Sequence, residues 1–300
     1  MASPPEYRPS GLYVPVVTPF AADGSVDAGA LERLASAALA AGAAGLVALS
    51  TTGEPTSLDD AERRLTVDVM AAVCAERGAS LIVGAGTNDT RTTIARHEAL
   101  GEIAAVSASL AVVPYYVRPS EAAIVAHFQA VAERSPVPLV LYNVPYRTGR
   151  GLGAAALLEL AATPNVIGLK QAVGALDADT LELLARKPED FAVLGGDDAF
   201  LYPTVLMGGA GAIAAAANFR TERFARMLGT EDHAVGRADA EALLPLVLAL
   251  FAEPNPAVVK ALLHAEGLIA TPDVRAPLAN ASPAALERAR AALPAPVTGG

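Results

Sequence analysis

The sequence predicts an α/β protein, a (β/α)8 TIM barrel with a C-terminal helical extension. Three observations carry that expectation. Short apolar runs alternate with longer amphipathic ones eight times over about 220 residues, the span of a closed barrel. The short runs are nearly all apolar, as strands buried on both faces of a parallel sheet must be. No Gly-rich dinucleotide fingerprint follows the first run, which weighs against an open, doubly wound sheet.

Taken in order, Leu12 to Thr18 reads as a strand after a Pro-rich leader, and Val26 to Ala41 as an Ala/Leu helix closed by Gly42. Gly45 to Ser50 is strand-like. Asp59 to Arg77 is a helix entered through Asp59 or Asp60 and stopped at Gly78. The pairs then continue as Leu81–Gly84 with Thr90–Leu100, Leu110–Val113 with Ser120–Arg134, and Leu139–Tyr142 with Ala154–Ala162. Val166–Lys170 precedes the helix Asp177–Arg186, Ala192–Gly195 precedes Ala199–Met207, and Ala212–Ala216 precedes Thr221–Leu228. Residues 1–230 thus read as the barrel. Residues 231–300 read as further helices (Ala238–Phe251, Pro256–Glu266, Pro283–Ala292) that are not an independent domain, with a frayed Pro/Gly tail from Pro294.

With 53% hydrophobic and 18% charged residues, the 300-residue chain can bury a large core. A net charge of −10 without a Lys/Arg run argues against nucleic acid and anionic membranes as partners. The single cysteine, Cys74, excludes an internal disulfide. The first residues lack a cationic start followed by an apolar core, and no uncharged run approaches a membrane span. The expectation is a soluble, cytoplasmic protein.

In a barrel, chemistry gathers at the C-terminal ends of the strands. There the sequence offers Ser50-Thr-Thr-Gly-Glu54, Gly84–Asn88, Pro114-Tyr-Tyr116, Tyr142-Asn143, Pro145–Gly149, Lys170 and Gly195–Asp198. The four histidines (His97, His127, His233, His264) fall in helical patterns without paired-ligand spacing, so no metal site is expected. Asp197 and Asp198 read as the N-cap of the next helix rather than a cation site. Of three lysines, Lys187 ends a helix and Lys260 sits in an amphipathic run, whereas Lys170 ends a buried strand. An ammonium there must be paired, snorkel to water or lose its proton. A neutral amine could form a Schiff base with a ketone, and the cationic imine would act as electron sink. Tyr142, on the preceding strand, could carry protons. Thr51 and Thr52 could hold a carboxylate, and Arg147 offers a fork for a second one. Each also has a plain alternative: turn formers, a surface arginine and a packed phenol.

Thr51-Thr-Gly-Glu54, Pro114-Tyr-Tyr116, Tyr142-Asn-Val-Pro-Tyr-Arg-Thr-Gly149 and Ile167-Gly-Leu-Lys170 follow one another at strand ends. In these motifs, from about Gly11 to about Leu278, the chain resembles the dihydrodipicolinate synthase / N-acetylneuraminate lyase family of class I pyruvate-dependent aldolases. The paired threonines, the Arg147 loop and Glu253-Pro-Asn-Pro256 with Lys260 resemble its dihydrodipicolinate synthase branch. The resemblance implies Lys170 as the pyruvate Schiff base, Tyr142 as proton relay and Thr52 as its partner. It implies Thr51 and Thr52 around the pyruvate carboxylate, with the backbone of Ile213 lining the pocket. Arg147 would anchor L-aspartate 4-semialdehyde, and Tyr116 would enter a neighbouring subunit's site within a homotetramer (a dimer of dimers). No cofactor or metal is implied, and the products would serve lysine and diaminopimelate synthesis. Gln171, Ser50 and Pro55 depart from the family, where an acid, a glycine and a serine are usual. Asp60, Arg63 and Thr92 replace the residues of lysine-inhibited members. An aldolase or dehydratase for 2-keto-3-deoxy sugar acids and a silent pyruvate-binding paralogue remain open alternatives.

Overall fold

A computed structural model describes residues 7–296; the leader through Glu6 and the last four residues of the Pro/Gly tail lie outside the described residues. In chain order, β1 (Gly11–Pro15) leads to α1 (Ala28–Ala40), β2 (Gly45–Ala48) to α2 (Asp60–Arg77), β3 (Ser80–Gly84) to α3 (Thr90–Leu100) and β4 (Val106–Val112) to α4 (Glu121–Arg134). β5 (Leu139–Asn143) is followed by a single turn, α5 (Pro145–Thr148), and then α6 (Ala154–Ala161). β6 (Val166–Gln171) precedes α7 (Ala178–Arg186), β7 (Ala192–Gly195) precedes α8 (Leu201–Leu206), and β8 (Gly211–Ile213) precedes α9 (Thr221–Gly229). The helices α10 (His233–Leu250), α11 (Ala257–Ala265) and α12 (Pro283–Ala292) complete the chain. The eight strands close into a parallel barrel in chain order, so the fold is a (β/α)8 barrel with C-terminal helices.

Local chemistry fixes the helix ends. Asp59 accepts a hydrogen bond from Glu62 N–H at 2.8 Å and Glu62 accepts one from Asp59 N–H at 3.0 Å, a reciprocal cap on α2. Gly78 ends that helix at φ +63°, which only glycine adopts without strain. Ser120 and Asp177 cap α4 and α7 one way only, accepting the N–H of Ala123 and of Thr180, each contributing about 1 kcal/mol.

Several elements differ from the sequence reading, β1 ending at Pro15 rather than Thr18 and the turn α5 being unforeseen; three further differences have a clear local cause. β4 starts at Val106 rather than Leu110, because Ser107 and Ser109 break the apolar run yet their hydroxyls are absorbed by bonds to neighbouring strands: Ser107 Oγ accepts from Leu81 N–H, and Ser109 donates to Pro138 O. β8 stops at Ile213, and Ala216–Asn218 turns as a 3-10 helix, since an alanine run has little preference for a strand. α10 begins at His233 rather than Ala238, capped by Asp232, and carries Pro245 inside it.

The chain forms two compact units. One comprises the described part of Met1–Gly11 with Ser80–Ile213, the other Leu12–Ala79 with the described part of Ala214–Gly300. The first holds an apolar cluster of Ile124, Phe128, Leu141, Leu157, Leu169 and Val193, all fully buried between strands and helices. In the second, α1 packs on α2, and α10 packs on α9 and α12; Phe20, Leu31, Leu46, Met70, Leu250 and Leu262 are buried there.

Candidate active site

In the first unit, register decides what meets what. The Cα of Tyr142 on β5 pairs with Lys170 on β6, and Lys170 pairs in turn with Leu194 on β7. Side chains on neighbouring strands at one register point to one face. Accordingly, Lys170 Nζ lies 4.4 Å from the centroid of the Tyr142 ring, and both residues are buried (Lys170 6% exposed). Among the described residues no carboxylate forms an ion pair with Lys170.

The lysine stem has room only because residue 196 is glycine. A Cβ built there would lie 2.9 Å from both Cγ and Cε of Lys170 and 3.0 Å from Ala172 Cβ. Asp197 follows. Its Oδ2 accepts the Gly174 N–H at 2.6 Å, and burial raises its pKa, with the Gly174 N–H and the Lys170 charge opposing. The expected N-cap role for the Asp pair is corrected here. Asp197 occupies the cap position of the 3-10 turn Asp198–Phe200 without a side-chain capping bond, its carboxylate being turned to Gly174 instead. No cluster of three metal-ligating side chains exists among the described residues.

Beyond β5, Pro145 opens the turn α5 and Gly149 closes it at φ +71°. The Thr148 hydroxyl donates within this loop, and the exposed Arg147 guanidinium stacks 4.8 Å from the Tyr146 ring centroid. Burial raises the pKa of the Tyr146 phenol, opposed by Arg147. Arg118 donates to Gly149 O at 3.2 Å and Arg150 to Arg118 O at 3.4 Å, clasping this loop to the one that carries Tyr116. Tyr116 itself is 86% exposed, with φ +71°. Ile213, at the end of β8, is fully buried.

In the second unit, Thr51, Thr52 and Gly53 form a 3-10 turn after β2. Leu49 (φ +53°) and Glu54 (φ +51°) bracket it, a left-handed backbone that costs each roughly 1–2 kcal/mol. What holds it is polar. Thr18 Oγ1 donates to Gly53 O at 2.8 Å. Glu54 Oε1 accepts from Lys260 Nζ at 2.8 Å and its Oε2 accepts the Arg275 N–H at 2.8 Å. Lys260 is therefore no ordinary helix-face lysine. It is fully buried, with Nζ 3.9 Å from the Phe20 ring centroid, and burial lowers its pKa against the opposing pull of Glu54. Thr52 Oγ1 accepts from Asn255 Nδ2 at 3.0 Å, which leaves the hydroxyl proton free to be donated elsewhere. Asn255 and Glu54 went unrecognised as supports because their partners lie more than 200 residues away in sequence; the Glu253–Pro256 motif was the signal present.

A model of the dihydrodipicolinate synthetase family matches residues 8–295. The chain is 37% identical over 282 residues to the 4-hydroxy-tetrahydrodipicolinate synthase of Synechocystis, covering 92% of this chain and 91% of that one. A chloride-inhibited dihydrodipicolinate synthase from Acinetobacter baumannii, solved with pyruvate, superposes with a TM-score of 0.90 at 33% identity, covering 95% of this chain and 97% of that one. A dihydrodipicolinate synthase variant described as monomeric superposes at 0.89, with 30% identity and 95% of each chain covered. The chain belongs to the dihydrodipicolinate synthetase family.

Proposed function

We propose that the chain acts as a 4-hydroxy-tetrahydrodipicolinate synthase, joining pyruvate to L-aspartate 4-semialdehyde. The observation that carries this is Lys170: an amine at a barrel strand end, buried, with no carboxylate in ion-pair contact among the described residues, and over a phenol at 4.4 Å. Nζ forms the C–N bond to the keto carbon of pyruvate, and the ketone oxygen leaves as water. The cationic imine then takes up the electrons of a methyl C–H bond as the proton departs. The resulting enamine carbon bonds to the aldehyde carbon, and attack of the semialdehyde's own amine on the imine carbon frees the lysine. Tyr142 carries protons to and from the carbinolamine oxygen. Thr51 and Thr52 hold the pyruvate carboxylate, Thr52 with its hydroxyl oriented by Asn255 and serving as the partner of Tyr142, and the backbone of Ile213 lines the pocket. Arg147, stacked on Tyr146, receives the carboxylate of the semialdehyde. No metal or organic cofactor is called for, because the imine itself is the electron sink.

The exposed Tyr116, held at φ +71°, suits insertion into a neighbouring copy, and the reading is a homotetramer built as a dimer of dimers. The single cysteine, which is buried, suits the reducing cytoplasm, where the reading places the enzyme. Among the described residues no helix is long and apolar enough to cross a membrane.

A coupled assay with pyruvate and a panel of aldehydes tests the activity. Turnover should be fastest with L-aspartate 4-semialdehyde, and Arg147→Ala should raise the KM for that aldehyde by about tenfold or more, the worth of one charge-assisted contact. Preference for an uncharged sugar aldehyde, indifferent to Arg147→Ala, would replace the proposed second substrate.

A further inference from the structure

Next to the two residues assigned to imine chemistry, each strand carries an amide: Asn143 after Tyr142 and Gln171 after Lys170. Successive strand residues face opposite ways, so these amides point from the strands toward the helices rather than toward the lysine. Both are buried. They form one chain of directed hydrogen bonds. Leu152 N–H donates to Asn143 Oδ1 at 3.2 Å, and Asn143 Nδ2 donates to Leu152 O at 3.2 Å and to Gln171 Oε1 at 3.0 Å. Gln171 Nε2 donates to Thr180 Oγ1 at 2.9 Å, and Thr180 Oγ1 donates its only proton to Asp177 Oδ1 at 2.6 Å. The chain ends on the carboxylate that caps α7.

Direction makes residue 171 specific. Its side chain must accept from Asn143 and donate to Thr180, which an amide does and a carboxylate cannot. A glutamate would compete with Asp177 for one hydroxyl proton and bury a second negative charge beside it. The far end of the chain, Leu152, closes the loop that begins at Val144 and carries Tyr146 and Arg147. Gly151 is packed into the same closure, for a Cβ there would meet Pro145 at 3.2 Å and Asn143 Oδ1 at 3.5 Å.

We propose that Gln171 is a positioning residue that, through Asn143, sets the loop bearing Arg147 and so the affinity for the second, carboxylated substrate. Its amide replaces an acid because the Asp177–Thr180 pair demands a donor, not because the imine needs less negative charge. The proposal rests on the function given above for Arg147.

The test compares the full-length protein with Gln171→Glu and with Gln171→Glu/Asp177→Asn, which removes the competing charge. In Gln171→Glu, hydrogen exchange of the 144–152 amides should accelerate by about tenfold, as expected for one broken buried bond. The KM for L-aspartate 4-semialdehyde should rise by about tenfold while borohydride trapping of pyruvate stays at the wild-type yield. The double variant should recover both to within about threefold. Thr180→Val breaks the chain without adding charge and gives the same exchange readout if Gln171→Glu fails to fold. Unchanged exchange, equal losses in pyruvate trapping and aldehyde KM, or no recovery in the double variant would overturn the proposal. If the wild type turns over no semialdehyde, the functional reading fails, and the exchange comparison still decides whether Gln171 sets the loop.

Discussion

Two lysines of this chain are taken out of water in opposite ways. Lys260, fully buried, meets Glu54 at 2.8 Å and the face of Phe20, and the carboxylate's other oxygen is satisfied by Arg275 N–H. Lys170, 6% exposed, has no carboxylate in ion-pair contact among the described residues, only the more distant charge of Asp197, and lies over a phenol, its stem lodged against a glycine. A buried ammonium with its opposite charge in place is committed to that bond, whereas one left without it is available to a substrate. Burial alone therefore does not mark a reactive lysine; the missing direct ion pair does.

That contrast can be broken at the paired end first. Lys260→Met alone strands a buried carboxylate and should cost about 3–5 kcal/mol, read as a fall in the urea midpoint. Lys260→Met with Glu54→Gln should recover most of it. If the double variant stays as unstable as the single one, the pair is not what holds the strained turn at Thr51–Gly53.

At the unpaired end a smaller effect is expected. Gly196→Ala places a methyl 2.9 Å from Cγ and Cε of the Lys170 stem, which must shift, and 3.0 Å from Ala172 Cβ. The rate should fall by about tenfold or more through misplacement of Nζ, with a smaller loss in the unfolding midpoint from the Ala172 contact. Equal loss of stability and rate would mean that Gly196 serves packing rather than the lysine.

Two buried imidazoles sharpen the comparison further. The Nδ1 atoms of His97 and His127 contact Thr93 O and Thr90 Oγ1, and both Nε2 atoms are buried without a hydrogen-bond partner among the described residues. Burial holds His97 below its ordinary pKa and His127 down at about 4. The unfolded chain therefore binds these protons first, near pH 6.5, so the stability they confer is complete above that pH and is lost as pH falls toward about 4. Urea midpoints should drop between about pH 7.5 and about pH 5, and His127→Gln should remove on the order of 1–2 kcal/mol of that drop. A pH dependence identical to wild type would show that His127 is not its source.

Much of this was legible in the sequence, because local chemistry wrote it. Asp59, Ser120, Asp177 and Gly78 mark helix ends through bonds to residues three or four away. The barrel order follows from the alternation itself, and the run ending in Lys170 showed a strand through its apolar neighbours. What stayed hidden depends on distant partners. Nothing near Lys260 announces Glu54, 206 residues earlier, and an amphipathic helix hides a fully buried cation until its partner is placed. Gln171 read only as a departure from the family's usual acid, whereas its side chain turns to Asn143 and Thr180. Asp197 read as a cap, yet it bonds the Gly174 N–H across a neighbouring loop.

The most direct measurement is borohydride reduction in the presence of pyruvate, followed by peptide mass mapping over the three lysines. A single reduced pyruvyl adduct on Lys170, with Lys260 and Lys187 unmodified and the adduct absent from Lys170→Arg, is the predicted result. An adduct on Lys260 or Lys187, or none anywhere, would contradict the claim that the unpaired lysine is the one that does the chemistry.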